Sequence, residues 1–235
     1  NHLVTTVGTH SARAGDGSIY VLEADALTVG DVGLSVNRVG SDASTTTANS
    51  LDAVQSDVRT TGGSGSIVLR TTAGAITLND GSDADDTAIS ANGSGNILIQ
   101  AQGTGSDITA GADMVSGSGN VSVLAARSLV LSGTADIRTS STSAGSGSID
   151  AVAGTGGITQ SATSLITSTG ATATARLVAG TDVTVGDIVL GTGKVSITAT
   201  AGAILDADSS NDVEQNITAS ALRLNAGMGI AQSAN

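Results

Sequence analysis

The sequence predicts an all-β chain, a parallel β-helix (β-solenoid) of about eight or nine coils with little or no α-helix. Three observations predict it. A Gly-x-Gly phrase recurs along the chain and each time opens an apolar run of strand period. A second short apolar run follows at a nearly constant distance. The composition, finally, suits a narrow layered core: Phe, Trp, Pro and Cys are absent, Tyr20 is the one large aromatic, and the aliphatic content is almost wholly Ala, Val, Ile and Leu. A globular core for 235 residues would draw on bulkier fillers. A disordered chain would lack recurring β-branched runs.

The phrase opens runs at Ile19, Ile67, Ile97, Val121, Ile149 and Val195, in steps of 48, 30, 24, 28 and 46 residues. The two long steps are close to twice a short one, so each is expected to hide a coil with a worn signature. Leu34-Ser35-Val36 is the candidate in the first and Leu177-Val178-Ala179-Gly180 in the second. A last coil keeps the run but not the glycine pair, at Leu222-Arg223-Leu224. Within each run the apolar residues fall on one face, as in Ile67/Leu69 and Ile97/Ile99/Ala101. The residues between them, such as Arg70, Gln100, Asp150 and Arg223, favour water.

The second run begins 8 or 9 residues on: Ile19 to Leu27, Ile67 to Ile76, Val121 to Leu129, Ile149 to Ile158, Val195 to Ile204 and Leu222 to Ile230. Stacked coils require such constancy, because each side chain must sit above its counterpart one rung away. The corners between the runs carry Ala73-Gly74, Gly156-Gly157 and Ala201-Gly202, where glycine supplies turn conformations. Polar tracts of variable length follow, at 79–87, 136–144 and 206–214, and are expected to project as loops. The absence of Pro agrees with interior strands, where every residue needs its N–H.

The formal charge of −12, with Lys194 and eight arginines as the basic residues, argues against a nucleic-acid partner and against attraction to anionic lipid. It suits a soluble, mutually repelling surface that attracts divalent cations. Without Cys there is no disulfide framework. No apolar run is long enough to insert into a membrane. The first residue is Asn1, so the chain reads as an internal or processed piece.

The phrases 63–69 (GSGSIVL), 95–101 (GNILIQA) and 197–204 (ITATAGAI) resemble the repeat regions of filamentous-haemagglutinin-like proteins, giant bacterial surface exoproteins. The resemblance spans essentially the whole chain. It implies a right-handed parallel β-helix at the cell surface or outside the cell, and it brings no catalytic residue. Proteins of this kind carry a phrase resembling Leu-x-Leu-x-Ala-Gly-x-Gly-Ile, followed by Asn-Pro-Leu and a Val. Here the chain runs Leu222-Arg223-Leu224-Asn225-Ala226-Gly227-Met228-Gly229-Ile230 to Asn235, and opens Asn1-His2-Leu3-Val4. Overlaying Asn235 on Asn1 completes the phrase, with His2 in place of Pro. Residues 48–54 carry a cousin of the same junction. The expectation is one solenoid segment over 1–235, acting as one unit of a tandem array.

Catalytic chemistry finds little support. His2 and His10 lie near the start of the chain with no evident acid partner and read as loop residues. The carboxylates Asp107, Asp113, Asp150 and Asp187 are scattered, and Tyr20 alone could form a sugar platform. No catalytic or cofactor-binding residue is therefore assigned. Calcium is the one candidate ligand. Asp80, Asp83, Asp85 and Asp86 in one tract, and Asp206, Asp208 and Asp212 in another, concentrate the hard oxygen donors that Ca²⁺ prefers. The second tract begins like an EF-hand loop but lacks Gly at the sixth position, Glu at the twelfth and flanking helices. The expected function is a non-enzymatic structural unit of an extracellular bacterial fibre, stalk or sheath. Its partners would be other copies, end to end and laterally through outward Val68, Leu98, Leu124 and Val152. The alternative is the shaft of a cell-surface adhesin.

Overall fold

A computed structural model describes residues 1–47, 52–208 and 215–231. The described residues contain no helix, and the chain winds through three long parallel sheets around one core. Each coil contributes one strand to each sheet in turn. The first sheet has nine strands: Leu3–Thr5, Ile19–Glu23, Ile67–Thr71, Ile97–Ala101, Val121–Ala125, Ser148–Ala153, Thr174–Ala179, Lys194–Ala199 and Ala221–Ala226. The second runs from Thr9–His10 through Leu27–Val29, Ile76–Leu78, Ile108–Ala110, Leu129–Leu131, Ile158–Gln160 and Val183–Val185 to Ile204–Asp206. The third is built of Ala12–Ala14, Val58–Thr60, Thr87–Ala91, Asp113–Ser116, Ile137–Ser140, Leu165–Thr169, Asp187–Val189 and Ile217–Thr218.

The register carries the repeat. Ile19, Ile67, Ile97, Val121, Ile149, Ala175, Val195 and Leu222 form one continuous ladder in the first sheet. Leu27, Ile76, Ile108, Leu129, Ile158, Val183 and Ile204 form the ladder of the second, and an isolated bridge extends it to Ile230. They include every pair that the spacing aligned, from Ile19/Leu27 to Leu222/Ile230, and add Ile108, Ala175 and Val183. Ile67, Leu69, Ile76, Ile99, Leu129 and Leu131 are fully buried, while the intervening Arg70, Gln100 and Asp150 reach solvent. Each such aliphatic contributes about 1.5–3 kcal/mol by leaving water. In the narrow space between three sheets, small aliphatic side chains are enough to fill the layers.

Two expectations need correction. Leu34-Ser35-Val36 is not a hidden coil. Val32–Leu34 pairs antiparallel with Asp52–Gln55, and Asn37–Val39 pairs antiparallel with Thr45–Thr47, so this stretch leaves the solenoid as a hairpin arm. Leu34 and Val36 are exposed there, because two alternating apolar residues do not by themselves say which face has a core behind it. The junction-like segment 48–54 falls partly outside the described residues. The second long step does hold a coil, with Leu177 and Ala179 buried between the neighbouring rungs. Leu3–Thr5 supplies the rung that the arm removes from the count, leaving nine.

The other correction concerns the polar tracts. They are not all loop, since Ile137–Ser140 lies within 136–144 and forms part of a third sheet. Four of its strands looked polar because their second inward residue is a hydroxyl: Thr60, Ser116, Thr139 and Ser168 are all buried. These hydroxyls donate to glycine carbonyls of the recurring phrase, Thr60 to Gly65 at 3.0 Å, Ser116 to Gly95 at 2.7 Å, Thr139 to Gly119 at 2.6 Å and Ser168 to Gly147 at 2.6 Å. A buried carbonyl needs such a partner.

The two glycines of the phrase serve different ends. Gly63, Gly93, Gly145 and Gly191 hold left-handed backbone, with φ between 55° and 83°. Gly65, Gly95 and Gly119 are needed for close approach instead. A Cβ there would stand 2.0–2.2 Å from the carbonyl oxygen of the matching glycine one rung away.

Candidate functional site

The corner between the second and third sheets gathers the acidic residues. At the start of four third-sheet strands stand Asp57, Asp113, Asp136 and Asp187, each directly before a residue of the ladder Val58, Ile89, Met114, Ile137, Ile166, Ile188. Two members of the column, Asp113 and Asp136, find donors within it. Asp113 Oδ1 accepts the Asp136 N–H at 2.7 Å, and Asp136 Oδ1 accepts the Leu165 N–H at 2.7 Å. Arg138 pairs with Asp113 and approaches Asp136 Oδ2 at 3.6 Å. Burial raises the Asp136 carboxyl above its usual value, against the hydrogen bond from Leu165.

Asp57 differs. It sits at left-handed φ of 65° where the arm rejoins the solenoid, and it is 1 % exposed. Its Oδ1 is enclosed and accepts no hydrogen bond. The loop of the next coil brings Asp83 and Asp85 alongside, so that one carboxylate oxygen from each of the three lies within 4.8 Å of the others. Burial, then the charges of Asp83 and Asp85, raise the Asp57 carboxyl to about 7, and Arg59 offsets this in part. Arg59 Nη1 stands 3.6 Å from Asp83 Oδ2.

Of the sequence candidates, then, Asp83 and Asp85 meet, and they meet Asp57 rather than Asp80 and Asp86. Asp86 Oδ2 accepts the Thr134 hydroxyl at 2.9 Å, and Asp80 has an enclosed Oδ1 without a hydrogen-bond partner. Asp206 Oδ1 accepts the Asp208 N–H and the Asn216 side-chain amide, both at 3.0 Å, which makes a local turn. Asp212 lies outside the described residues. Sequence reasoning missed Asp57 because 26 residues separate it from Asp83, and only the stacking of coils closes that gap. The one signal was a charged residue directly before the apolar Val58.

The outer face of the first sheet is the other candidate surface. A groove of about 530 Å³ crosses its later rungs, lined by Asp150, Arg176, Lys194, Ser196, Leu222 and Arg223 among others. Arg176 grips Asp150 with two bonds, at 2.8 and 2.9 Å. Arg127 pairs in the same way with Asp107, whose carboxyl is held below its usual value by that guanidinium. Toward the first rungs the face turns apolar, with Tyr20, Val68 and Leu98 stacked in register. His2 lies edge-on to Tyr20, with ring centroids 6.0 Å apart. His10 lies within the strand Thr9–His10 rather than in a loop. Its Nδ1 is enclosed without a hydrogen-bond partner, and burial lowers its pKa against the pull of Glu23.

Compared with known proteins, the chain matches no family model, no curated protein and no solved structure. No helix among the described residues is long and apolar enough to cross a membrane.

Proposed function

We propose that this chain is a non-enzymatic structural element of an extracellular bacterial fibre, stalk or sheath, with the rod itself as the working part. The observation that carries this is the unbroken register of nine strands, in which every inward residue stands on its counterpart. Such a stack has no natural stopping point, since each rung presents to the next the donors and acceptors it takes from the last. In the proposed array each outermost strand of the first sheet, Leu3–Thr5 and Ala221–Ala226, pairs with a further rung. That rung would come from another copy of this chain. A heterologous contact of this kind propagates into an open filament. The extracellular setting follows from the resemblance of the Gly-Ser-Ile phrases to haemagglutinin-like exoproteins.

Electron microscopy of tandem copies tests this. Nine rungs at about 4.8 Å each give an axial repeat of about 43 Å per copy in a straight rod. Copies that behave as independent beads with variable spacing would defeat the proposal.

The arm favours a second function, the shaft of an adhesin. Val32, Leu34, Val36, Val39 and Val54 are exposed on a hairpin that serves no purpose in the stack. Exposed apolar clusters of that kind mark contact sites. Deleting 32–55 would abolish surface attachment if the arm is the receptor contact, and would leave fibre formation intact.

A further inference from the structure

Apart from the role of the rod, we propose a calcium site at the root of the arm, with Asp57, Asp83 and Asp85 supplying carboxylate oxygens to the ion. One oxygen of each residue lies within 4.8 Å of the other two. Calcium holds its oxygen ligands at roughly 2.3–2.6 Å, so two ligands of one ion stand up to about 5 Å apart. The three positions are compatible with a single seat.

Asp57 is what points to a ligand. An exposed cluster of acids is ordinary, but Asp57 is 1 % exposed and its Oδ1 has no hydrogen-bond partner. Its counterparts in the same column show what this position normally receives. Asp113 takes the N–H of Asp136 and Asp136 takes the N–H of Leu165. In the coil after Asp57, where Val58 pairs with Ile89, the tract 79–87 leads into that place and brings two more carboxylates alongside. A buried carboxylate oxygen without a hydrogen-bond donor is disfavoured, and two further carboxylates beside it add to the cost. Arg59 is the nearby cation, 3.6 Å from Asp83, and it divides its charge between Asp83 and Asp57. Its own Nε is enclosed without a partner, so Arg59 does not complete the site.

The position gives the ion a task. Asp31, at the outgoing root of the arm, accepts the Ser56 hydroxyl at 2.6 Å and the Ser82 N–H at 3.0 Å. A Cβ on Gly81 would stand 2.3 Å from the Ser56 side chain, so the tract lies flush against the root. Calcium between Asp57 and Asp83/Asp85 would clamp the returning root to the next coil, as Asp31 does for the outgoing one.

Titration calorimetry of the whole chain with CaCl₂, after chelator treatment and at constant ionic strength and mildly alkaline pH, tests this. The expected result is one saturable site with Kd on the order of 10⁻⁴–10⁻³ M. Asp57→Asn, and separately the double variant Asp83→Asn/Asp85→Asn at exposed positions, should each weaken binding roughly tenfold or more. The double variant keeps the test decisive if Asp57→Asn does not fold. Calcium should also slow proteolysis of the arm in the wild type and not in the variants. Absence of binding at roughly ten times that concentration would overturn the proposal. So would undiminished binding in the foldable variants, which would place the ion elsewhere, or an equal response to MgCl₂.

Discussion

Replacing Gly95 by Ala would put a Cβ 2.2 Å from the carbonyl oxygen of Gly65. Real Cβ atoms do not approach within 3.0 Å, so the two rungs must separate by about 1 Å at this point. They are not free to do so. The Ile67 N–H is bound to Asn96 O at 2.8 Å and the Ile97 N–H to Asn120 O at 2.8 Å, which ties both sides of the column immediately after the glycines. Overpacking of a well-filled site costs about 1–3 kcal/mol, and loosening the tied rungs places this case at the upper end, about 3 kcal/mol. For a chain of this size that corresponds to a fall of about 6–12 °C in Tm. Gly17 occupies the same place in the phrase but has nothing within 4 Å of its Cβ position and no left-handed backbone. Gly17→Ala should therefore be neutral, or stabilising by about 0.4–1 kcal/mol through the unfolded chain. Gly133, at φ of 61° with nothing within 4 Å, isolates backbone strain, and Gly133→Ala should cost about 1–2 kcal/mol. Thermal and urea unfolding followed by circular dichroism measure all three. If Gly95→Ala and Gly17→Ala agree within about 0.5 kcal/mol, rung-to-rung contact is not why the second glycine recurs.

Other consequences can be measured in the same way. Thr139→Val removes the donor to the Gly119 carbonyl and leaves it buried and unpaired, an expected loss of about 1–3 kcal/mol in urea unfolding. Leu69→Ala, in a fully buried ladder position, should cost about 2–5 kcal/mol, and a value under 1 kcal/mol would contradict the packed core. Glu23 is fully buried; burial would raise its carboxyl, but hydrogen bonds from Thr5 Oγ1 at 2.6 Å, Ala24 N at 3.0 Å and Val7 N at 3.1 Å outweigh that and hold it below the usual glutamate value. A depressed folded-state pKa means its contribution is present above the unfolded value and is lost as pH falls through the folded one. Glu23→Gln should flatten the acid limb of stability against pH, and an unchanged limb would exclude Glu23 as its source.

Much of the solenoid was legible because its code is local. Ile67/Leu69 and Ile76/Leu78 announce two faces and a corner within one coil, and the stack repeats them. The third sheet escaped because Thr60, Ser116, Thr139 and Ser168 bury hydroxyls, and a buried hydroxyl looks the same in sequence as a solvated one until its acceptor is known. The arm escaped for the opposite reason: Leu34 and Val36 have the spacing of a rung but no core behind them.

The sequence by itself determined the class of fold, most ladder positions of the first two sheets and the alternation of buried and solvent-facing residues there, since these follow from strand period and from a repeat distance shared by most coils. Only the tertiary structure decided which coil each residue would lie against. It set Gly95 on Gly65, gave the Gly119 carbonyl to Thr139, and carried Asp57 to Asp83 and Asp85 across one turn of the solenoid. Contacts between rungs join residues that variable insertions hold at no fixed sequence distance, so the spacing that reveals a coil cannot reveal its neighbours' side chains.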